Sequence, residues 1–339
     1  LGRTLAAPLR AKASVPAFDL SAMDGYAVRG EDIKMLPTTL IRSGESAAGH
    51  PFTGKIATGE AVRIFTGAKV PDGGDVIVLQ EDVDAASEEN GIEITIKSGN
   101  SAGKHIRRRG LDMERNTVVL DAGHHLSARA ITLCLSAGHN ELKVYKQPRI
   151  GIISTGDELV PPGTPPAPGQ IVSSNAQYLA DFVEMNGGIA VNLGIVRDAA
   201  GALARTLEGR DDLDLIVTSG GASVGVHDHI AGDLANINKD TIKGADGTEQ
   251  NKIDFWKIAM RPGKPVIFGK IGNVPLLGLP GNPVSSAICA MTFLAPAMAH
   301  MQGRHHQDMT FHATLASGLR ENDKRQEYLR ATLSYDAEG

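Results

Sequence analysis

The chain has 339 residues, with 34 Lys plus Arg against 39 Asp plus Glu and a formal net charge of −5. At roughly 150 residues per domain, that length predicts two or three domains and a core that needs no disulfide or structural metal to fold. The acidic balance argues against a nucleic-acid protein, whose affinity comes mainly from neutralising phosphates, yet permits a local cationic pocket for a small anion.

Cys134 and Cys289 make neither a disulfide framework nor a zinc knuckle, and fit a reducing compartment. The most apolar stretch, residues 288–301, is short and carries Thr292 and Pro296, so no membrane-spanning helix is expected. No signal peptide is expected either. Leu1 already lies in what reads as a domain and Gly339 follows a strand-like run, so both ends are expected to be trimmed. The expectation is a soluble, cytoplasmic, multidomain protein.

Up to about residue 110 the chain is rich in short β-type runs, at 61–65, 75–80 and 91–97. Turn clusters such as Pro71-Asp72-Gly73-Gly74 and Glu89-Asn90-Gly91 separate them. They predict a small β domain. Residues 127–138 read as a helix, with Ser127 as N-cap and Gly138 as its stop. From about 148 to 300, strands and helices alternate. A strand is expected at 149–154, an amphipathic helix at 175–186, a strand at 190–196, a helix through Leu203 and Leu207, and a buried strand at 213–218. Strands at 266–268 and 275–277 and a helix from near Pro283 follow. Such alternation implies βαβ units and a doubly wound, mostly parallel α/β sheet, which binds ligands at the C-terminal ends of its strands. The stretch PPGTPPAPG at 161–169 predicts a stiff surface loop. The last forty or so residues carry too little pattern to assign.

Three glycine-rich loops follow predicted strands. They are Ser154-Thr155-Gly156-Asp157-Glu158, Ser219-Gly220-Gly221-Ala222-Ser223-Val224-Gly225 and Leu279-Pro280-Gly281-Asn282-Pro283-Val284-Ser285-Ser286. In the third, Asn282 suits an N-cap and Pro283 a first helical residue. A helix start presents N–H groups and a favourable dipole to an anion, and glycine lets the backbone approach phosphate oxygens with no Cβ in the way. Singly, each loop reads as an ordinary βα turn. Three at one sheet edge favour an anion site.

Lys257, Arg261 and Lys264 lie in WKIAMRPGKP, which ends at Pro265. Two prolines and a glycine among the charges predict a fixed loop, in which Arg suits bidentate oxyanion recognition and Lys acts as a point charge. Scattered surface charge is the competing reading, strongest for Lys257. Asp157, Glu158, Asp198 and Asp228 recur in loops of the same kind. Beside a phosphate site they suit Mg²⁺ shared with the ligand's phosphates. Alternatively, one of them positions a water for attack on phosphorus.

The β half contains PAFDLSAMDGYAV at 16–28, where Asp24-Gly25 alone reads as a hairpin turn. Phe65-Thr66-Gly67-Ala68 and Arg107-Arg108-Arg109-Gly110-Leu111-Asp112 follow, and at least one of the three arginines is expected in a structural ion pair. No GxGxxG opens a βαβ unit, and residues 99–105 lack Walker A spacing. The pairs His124-His125 and His305-His306 lack ligand spacing and read as surface residues.

In order, PAFDLSAMDGYAVR, FTGAKVP, IRRRGLD, GIISTGDEL, SGGASVGVHD, DFWKIAMRPGKPVIFGK and GLPGNPVSS resemble the molybdopterin molybdenumtransferase family, the MoeA proteins and the gephyrin E domain. The resemblance covers residues 16–286. It implies a multidomain α/β plus β fold: a helical linker region of residues 1–14 and 110–146, a β-rich domain at 15–109, an α/β molybdopterin-binding domain at 147–300, and the start of an incomplete C-terminal β domain at 301–339. The implied activity is insertion of molybdenum from molybdate into adenylated molybdopterin, with Mg²⁺-dependent release of AMP. A homodimer with a shared active site is also implied, with a molybdopterin adenylyltransferase and molybdoenzyme acceptors as partners and no nucleic acid or membrane.

By the same resemblance, Asp24, Thr66, Arg107 and Asp112 match motif positions facing the partner subunit's site. Glu158, Asp198 and Asp228 match acidic positions of the pocket and are the expected Mg²⁺ ligands. Lys257, Arg261, Lys264 and Ser285 match its oxyanion side. Thr155, Gly156, Ser219, Gly220, Gly221, Ser223, Pro265, Gly281 and Asn282 complete the expected substrate contacts. Leu20, Leu111 and Arg261 depart from residues frequent in the family without removing a carboxylate. Rival readings are a molybdopterin adenylyltransferase, against which the β-domain motifs count, a scaffold using the same fold, and tungstate in place of molybdate.

Overall fold

The computed structural model describes residues 1–85, 92–99, 101–199, 201–221, 251–306 and 310–334. The chain divides into two compact units. One comprises Leu1, Ala7–Ala122 and Leu126–Lys143; the other comprises Gly2–Ala6, Gly123–His125 and Val144–Gly339.

The first unit is built on a mixed sheet of β1 (Gly25–Val28), β2 (Thr38–Ser46), β3 (Glu60–Ile64), β4 (Val76–Leu79), β5 (Val83–Ala85) and β6 (Glu93–Ile96). Their spatial order is β4-β1-β3-β2-β6-β5. The two-residue period of the strands sends Val28, Ala61, Val76 and Val78 into one buried cluster and Ala27, Val62, Ile64 and Ile77 into another. Asp24-Gly25, expected as a hairpin turn, instead opens β1, which pairs with β3 on one side and β4 on the other. A Cβ on Gly25 would lie 1.9 Å from the Val78 carbonyl oxygen, so glycine serves close strand approach here and not a turn.

Helix α1 (Ala128–Ser136) starts on Ser127, whose side chain accepts from the Ala130 N–H. Among the described residues of 1–14 and 110–146, it is the one α-helix. Leu9–Arg10 and Val118–Leu120 form an antiparallel pair instead, because extended backbone lets Leu9 and Leu120 bury opposite each other.

The second unit carries β7 (Arg149–Thr155), α2 (Asn175–Met185), β8 (Ile189–Val196), α3 (Ala202–Leu207), β9 (Leu215–Ser219), β10 (Asn251–Trp256), β11 (Ile267–Ile271), β12 (Val274–Leu279), α4 (Pro283–Cys289) and α5 (Ala295–Met301). The sheet runs β8-β7-β9-β12-β11-β10. Its first four strands are parallel, and β11 and β10 extend it antiparallel. The antiparallel step comes from the two-residue link Gly272-Asn273, with Gly272 at φ +58°.

Both faces are covered, which explains the continuous apolar strands. Ile152, Leu215, Val217 and Leu277 pack with Leu179, Val183, Leu294 and Met298 on one face. Ile153, Ile216 and Leu276 pack with Leu203, Leu207 and Leu213 on the other. The helical run Pro283–Met301 is 19 residues long with a mean hydropathy of 1.4. It is a core helix, for Cys289, Ala290, Leu294 and Met298 are buried in the sheet's packing. It widens into a π-turn at 290–294, just ahead of Pro296, whose missing N–H interrupts the regular ladder.

Cys134 and Cys289 are both free and buried. Burial pushes the Cys289 thiol up to about 12. Iodoacetamide at pH 8 is therefore expected to label Cys289 no faster than the protein unfolds, as mass spectrometry across a urea series would show.

Candidate functional site

Parallel order brings the C-terminal ends of β7, β9 and β12 side by side, and the three glycine loops emerge there. They border a cleft of about 600 Å³. Thr155, Gly156 and Glu158 line it from the first loop, Ser219, Gly220 and Gly221 from the second, and Gly281, Asn282 and Ser285 from the third. Asp198, just after β8, and Pro265 complete the expected residues on its wall. Ser223 and Asp228 lie outside the described residues.

Gly220 is where the loops meet. At φ +97°, its N–H donates to the Leu279 carbonyl at 3.0 Å. A Cβ on it would sit 2.4 Å from the Thr155 carbonyl oxygen. A Cβ on Gly281 would sit 3.4 Å from Gly220 Cα. The backbone of each loop thus reaches the next with no side chain between them. Thr155 Oγ1 is buried and has no hydrogen-bond partner among the described residues. Asn282 performs the predicted cap, its Oδ1 accepting from the Ser285 N–H at 3.1 Å.

Asp157 is a brace. Its Oδ1 accepts from the Asp198 N–H at 3.2 Å, and its carbonyl accepts from Arg197, which ties the turn after β8 to the first loop. Glu158 and Asp198 are the carboxylates left on the cleft wall. Among the described residues, no group of three or more His, Cys, Asp or Glu is arranged to hold a metal. Two hard carboxylates nevertheless fit Mg²⁺, which is usually held by one or two carboxylates plus substrate phosphates and water.

Residues 1–138 match the family model "MoeA N-terminal region (domain I and II)", and residues 151–300 match "Probable molybdopterin binding domain". A molybdopterin molybdenumtransferase of Haemophilus influenzae is 38% identical over 292 residues, covering 86% of this chain and 68% of that protein. Molybdopterin molybdenumtransferase 2 of Mycobacterium tuberculosis is 36% identical over 349 residues, covering 99% and 81%. The chain belongs to the molybdopterin molybdenumtransferase family. Among solved structures, a molybdopterin biosynthesis MoeA protein from Pyrococcus horikoshii superposes with a TM-score of 0.77 at 33% identity, over 90% of this chain and 73% of that one.

In this member of the molybdenumtransferase family, the cationic loop is fixed, but not as expected. Pro265 lines the cleft, whereas Lys257, Arg261 and Lys264 are not among its lining residues. Met260–Arg261 forms a short strand parallel to Gln326–Glu327. There the Arg261 guanidinium meets Glu327 Oε1 at 2.6 Å from Nη2 and 2.8 Å from Nε. The fork read as open to an oxyanion already holds a carboxylate. Lys257 sits at φ +68°, its ammonium 4.2 Å from the centre of the Trp256 ring. Gly263, at φ +114°, keeps the loop tight against the core: a Cβ there would lie 2.7 Å from Cys289 Sγ.

The first unit holds its own expected residues in pairs. Asp24 Oδ1 accepts from the Thr66 N–H at 2.7 Å and from its hydroxyl at 2.8 Å. These bonds, the backbone one foremost, hold the Asp24 carboxyl below its ordinary 3.8. Beside it, the Arg63 guanidinium lies 5.1 Å from the Tyr26 ring centre and 5.0 Å from that of Phe65. Arg107 faces Asp112 at 3.4 Å and Arg108 faces Asp19 at 2.6 Å, so two of the three arginines are ion-paired.

A carboxyl with a depressed native value stabilises above 3.8 and loses that contribution as pH falls below it. Urea unfolding of wild type and Asp24→Ala is therefore expected to show a stability gap at pH 6 that closes toward pH 2.

Ser154 of the first loop also lines the cleft, as do Ser173 and Asn175, which sequence reasoning missed. The Ser173 hydroxyl donates to Ser154 Oγ at 2.8 Å in the interior. The Asn175 side chain turns toward the second and third loops.

Proposed function

We propose that this chain inserts molybdenum, supplied as molybdate, into adenylated molybdopterin and releases AMP in an Mg²⁺-dependent step. One observation carries the reading: three glycine loops in backbone contact at the ends of adjacent parallel strands, with Gly220 held where any Cβ would strike the Thr155 carbonyl. A pyrophosphate-bearing ligand calls for such a surface, since its oxygens must approach the backbone closely.

The proposed metal ligands are Asp228, of SGGASVGVHD, together with Asp198 or Glu158. Mg²⁺ bound there supplies neutralisation of phosphate charge. Asn282 fixes the start of α4, and Ser285 stands on the cleft wall. Lys264 and Pro265 lie at the molybdate side in this reading. Arg261 joins them by sharing its fork with, or releasing, Glu327. Asp24, Thr66, Arg107 and Asp112 are proposed to serve the site of a second subunit in a cytoplasmic homodimer. An adenylyltransferase would supply that dimer, and molybdoenzyme acceptors would draw on its product.

The test is AMP release from adenylated molybdopterin with Mg²⁺, with and without molybdate, the product being assayed on a cofactor-free molybdoenzyme. Molybdate-dependent release that reactivates the acceptor supports the reading. Binding of the adenylated pterin with no release removes it and favours a binding role.

A further inference from the structure

The Asn175 carboxamide bridges two of the three loops. Its Nδ2 lies 2.8 Å from Ser219 Oγ and 2.8 Å from the Gly281 carbonyl oxygen. A carbonyl can only accept, so the nitrogen must face Gly281, which fixes the orientation of the amide. Ser219 Oγ therefore accepts from the same nitrogen, and its own hydrogen remains to be donated elsewhere. Ser219 is buried at the end of β9 and lines the cleft, as does Asn175. An asparagine at a helix start ordinarily caps its own helix. Here Ser174 occupies the N-cap without a side-chain bond, and Asn175 reaches across instead.

We propose that Asn175 is a positioning residue of the cleft. It sets the spacing between the second and third loops and orients the Ser219 hydroxyl to donate to the phosphate oxygens of the bound ligand. The inference rests on the proposed function for the identity of that ligand, though the bridge itself does not depend on it. Gly220 already joins the loops at one point through its bond to Leu279, on the strand side of the turn. Asn175 adds the second point, and two points of attachment hold a spacing that one cannot. Alanine would remove both bonds. Aspartate keeps the shape but sets an acceptor against a carbonyl and a negative charge beside an anion site.

Two arms test this. Equilibrium binding of adenylated molybdopterin and its steady-state turnover are compared for wild type, Asn175→Ala and Asn175→Asp. Hydrogen exchange of peptides spanning 215–221 and 279–286 is followed without ligand. Loss of two modest hydrogen bonds predicts affinity about tenfold weaker for Asn175→Ala and weaker still for Asn175→Asp. KM should rise in parallel, with kcat within about threefold. Exchange in both peptides should quicken about tenfold in Asn175→Ala, with strands of the first unit unchanged.

Unchanged exchange together with unchanged affinity overturns the inference. So does a fall in kcat at constant KM, the pattern of a smaller folded fraction. If wild type fails to bind adenylated molybdopterin while the exchange effect is present, the bridge stands and the proposed function falls.

Discussion

Gly220→Ala is expected to remove most turnover while leaving the protein folded. At φ +97° an L-residue is strained, at a cost of about 1–3 kcal/mol. The larger effect is steric, because the new methyl would lie 2.4 Å from the Thr155 carbonyl oxygen, far inside contact distance. One loop must then shift by roughly 1 Å, a displacement that can cost about 10²-fold in rate when it misplaces a bound group. The sheet itself should hold, for Ser219 is in register with both Ser154 and Leu279 and sits ahead of the strained residue. Gly169→Ala is the control. Its φ of +86° carries similar backbone strain, but nothing lies within 4 Å of the added Cβ. Under the proposed function, the expected result is a larger loss in urea midpoint for Gly220→Ala, which adds the clash to a backbone strain that both variants share, with molybdate-dependent AMP release lost in Gly220→Ala alone. Equal activities would mean that the contact between the loops is not part of the site.

How much of this could be read beforehand depends on what kind of signal each feature leaves. The α/β unit was legible because parallel strands covered on both faces are apolar throughout, and β7 and β9 are buried along nearly their whole length. Strand ends were less so. Leu213 looks like part of β9 but packs beneath the sheet just before Leu215 begins it. The three loops were legible because glycine after a buried strand is local chemistry, as is Asn282-Pro283 at the helix start in the third. What local chemistry cannot show is a partner distant in sequence. Gly25 resembles a turn glycine until β4 is laid beside it. Arg261 resembles an open oxyanion fork until Glu327, 66 residues away, closes on it. Asn175 reads only as the start of a helix until the ends of β9 and β12 are seen within its reach. In each case the residue type was informative about geometry or charge, and the fold determined where it was applied.

The carboxylates on the cleft wall make the second large effect. Under the proposed function, the double replacement Glu158→Gln with Asp198→Asn is expected to lower AMP release by about 10²–10³-fold, since metal ligation stabilises transition-state charge by several kcal/mol. Both replacements keep side-chain shape. The brace between Asp157 and the Asp198 N–H is a backbone contact that the change leaves in place. Binding should respond with the opposite sign. Without Mg²⁺, two negative charges beside a phosphorylated ligand are repulsive, so the double variant should bind adenylated molybdopterin several-fold more tightly than wild type. With Mg²⁺ the order should invert, because wild type gains a cation shared between carboxylates and phosphates and the variant does not. Affinities measured with and without EDTA for both proteins form a closed cycle, and the coupling between Mg²⁺ and the carboxylates is its quantity of interest. A cycle that closes with no coupling would take Glu158 and Asp198 out of metal binding and leave the charge of the phosphates to be met elsewhere, with Asp228 the next residue to replace.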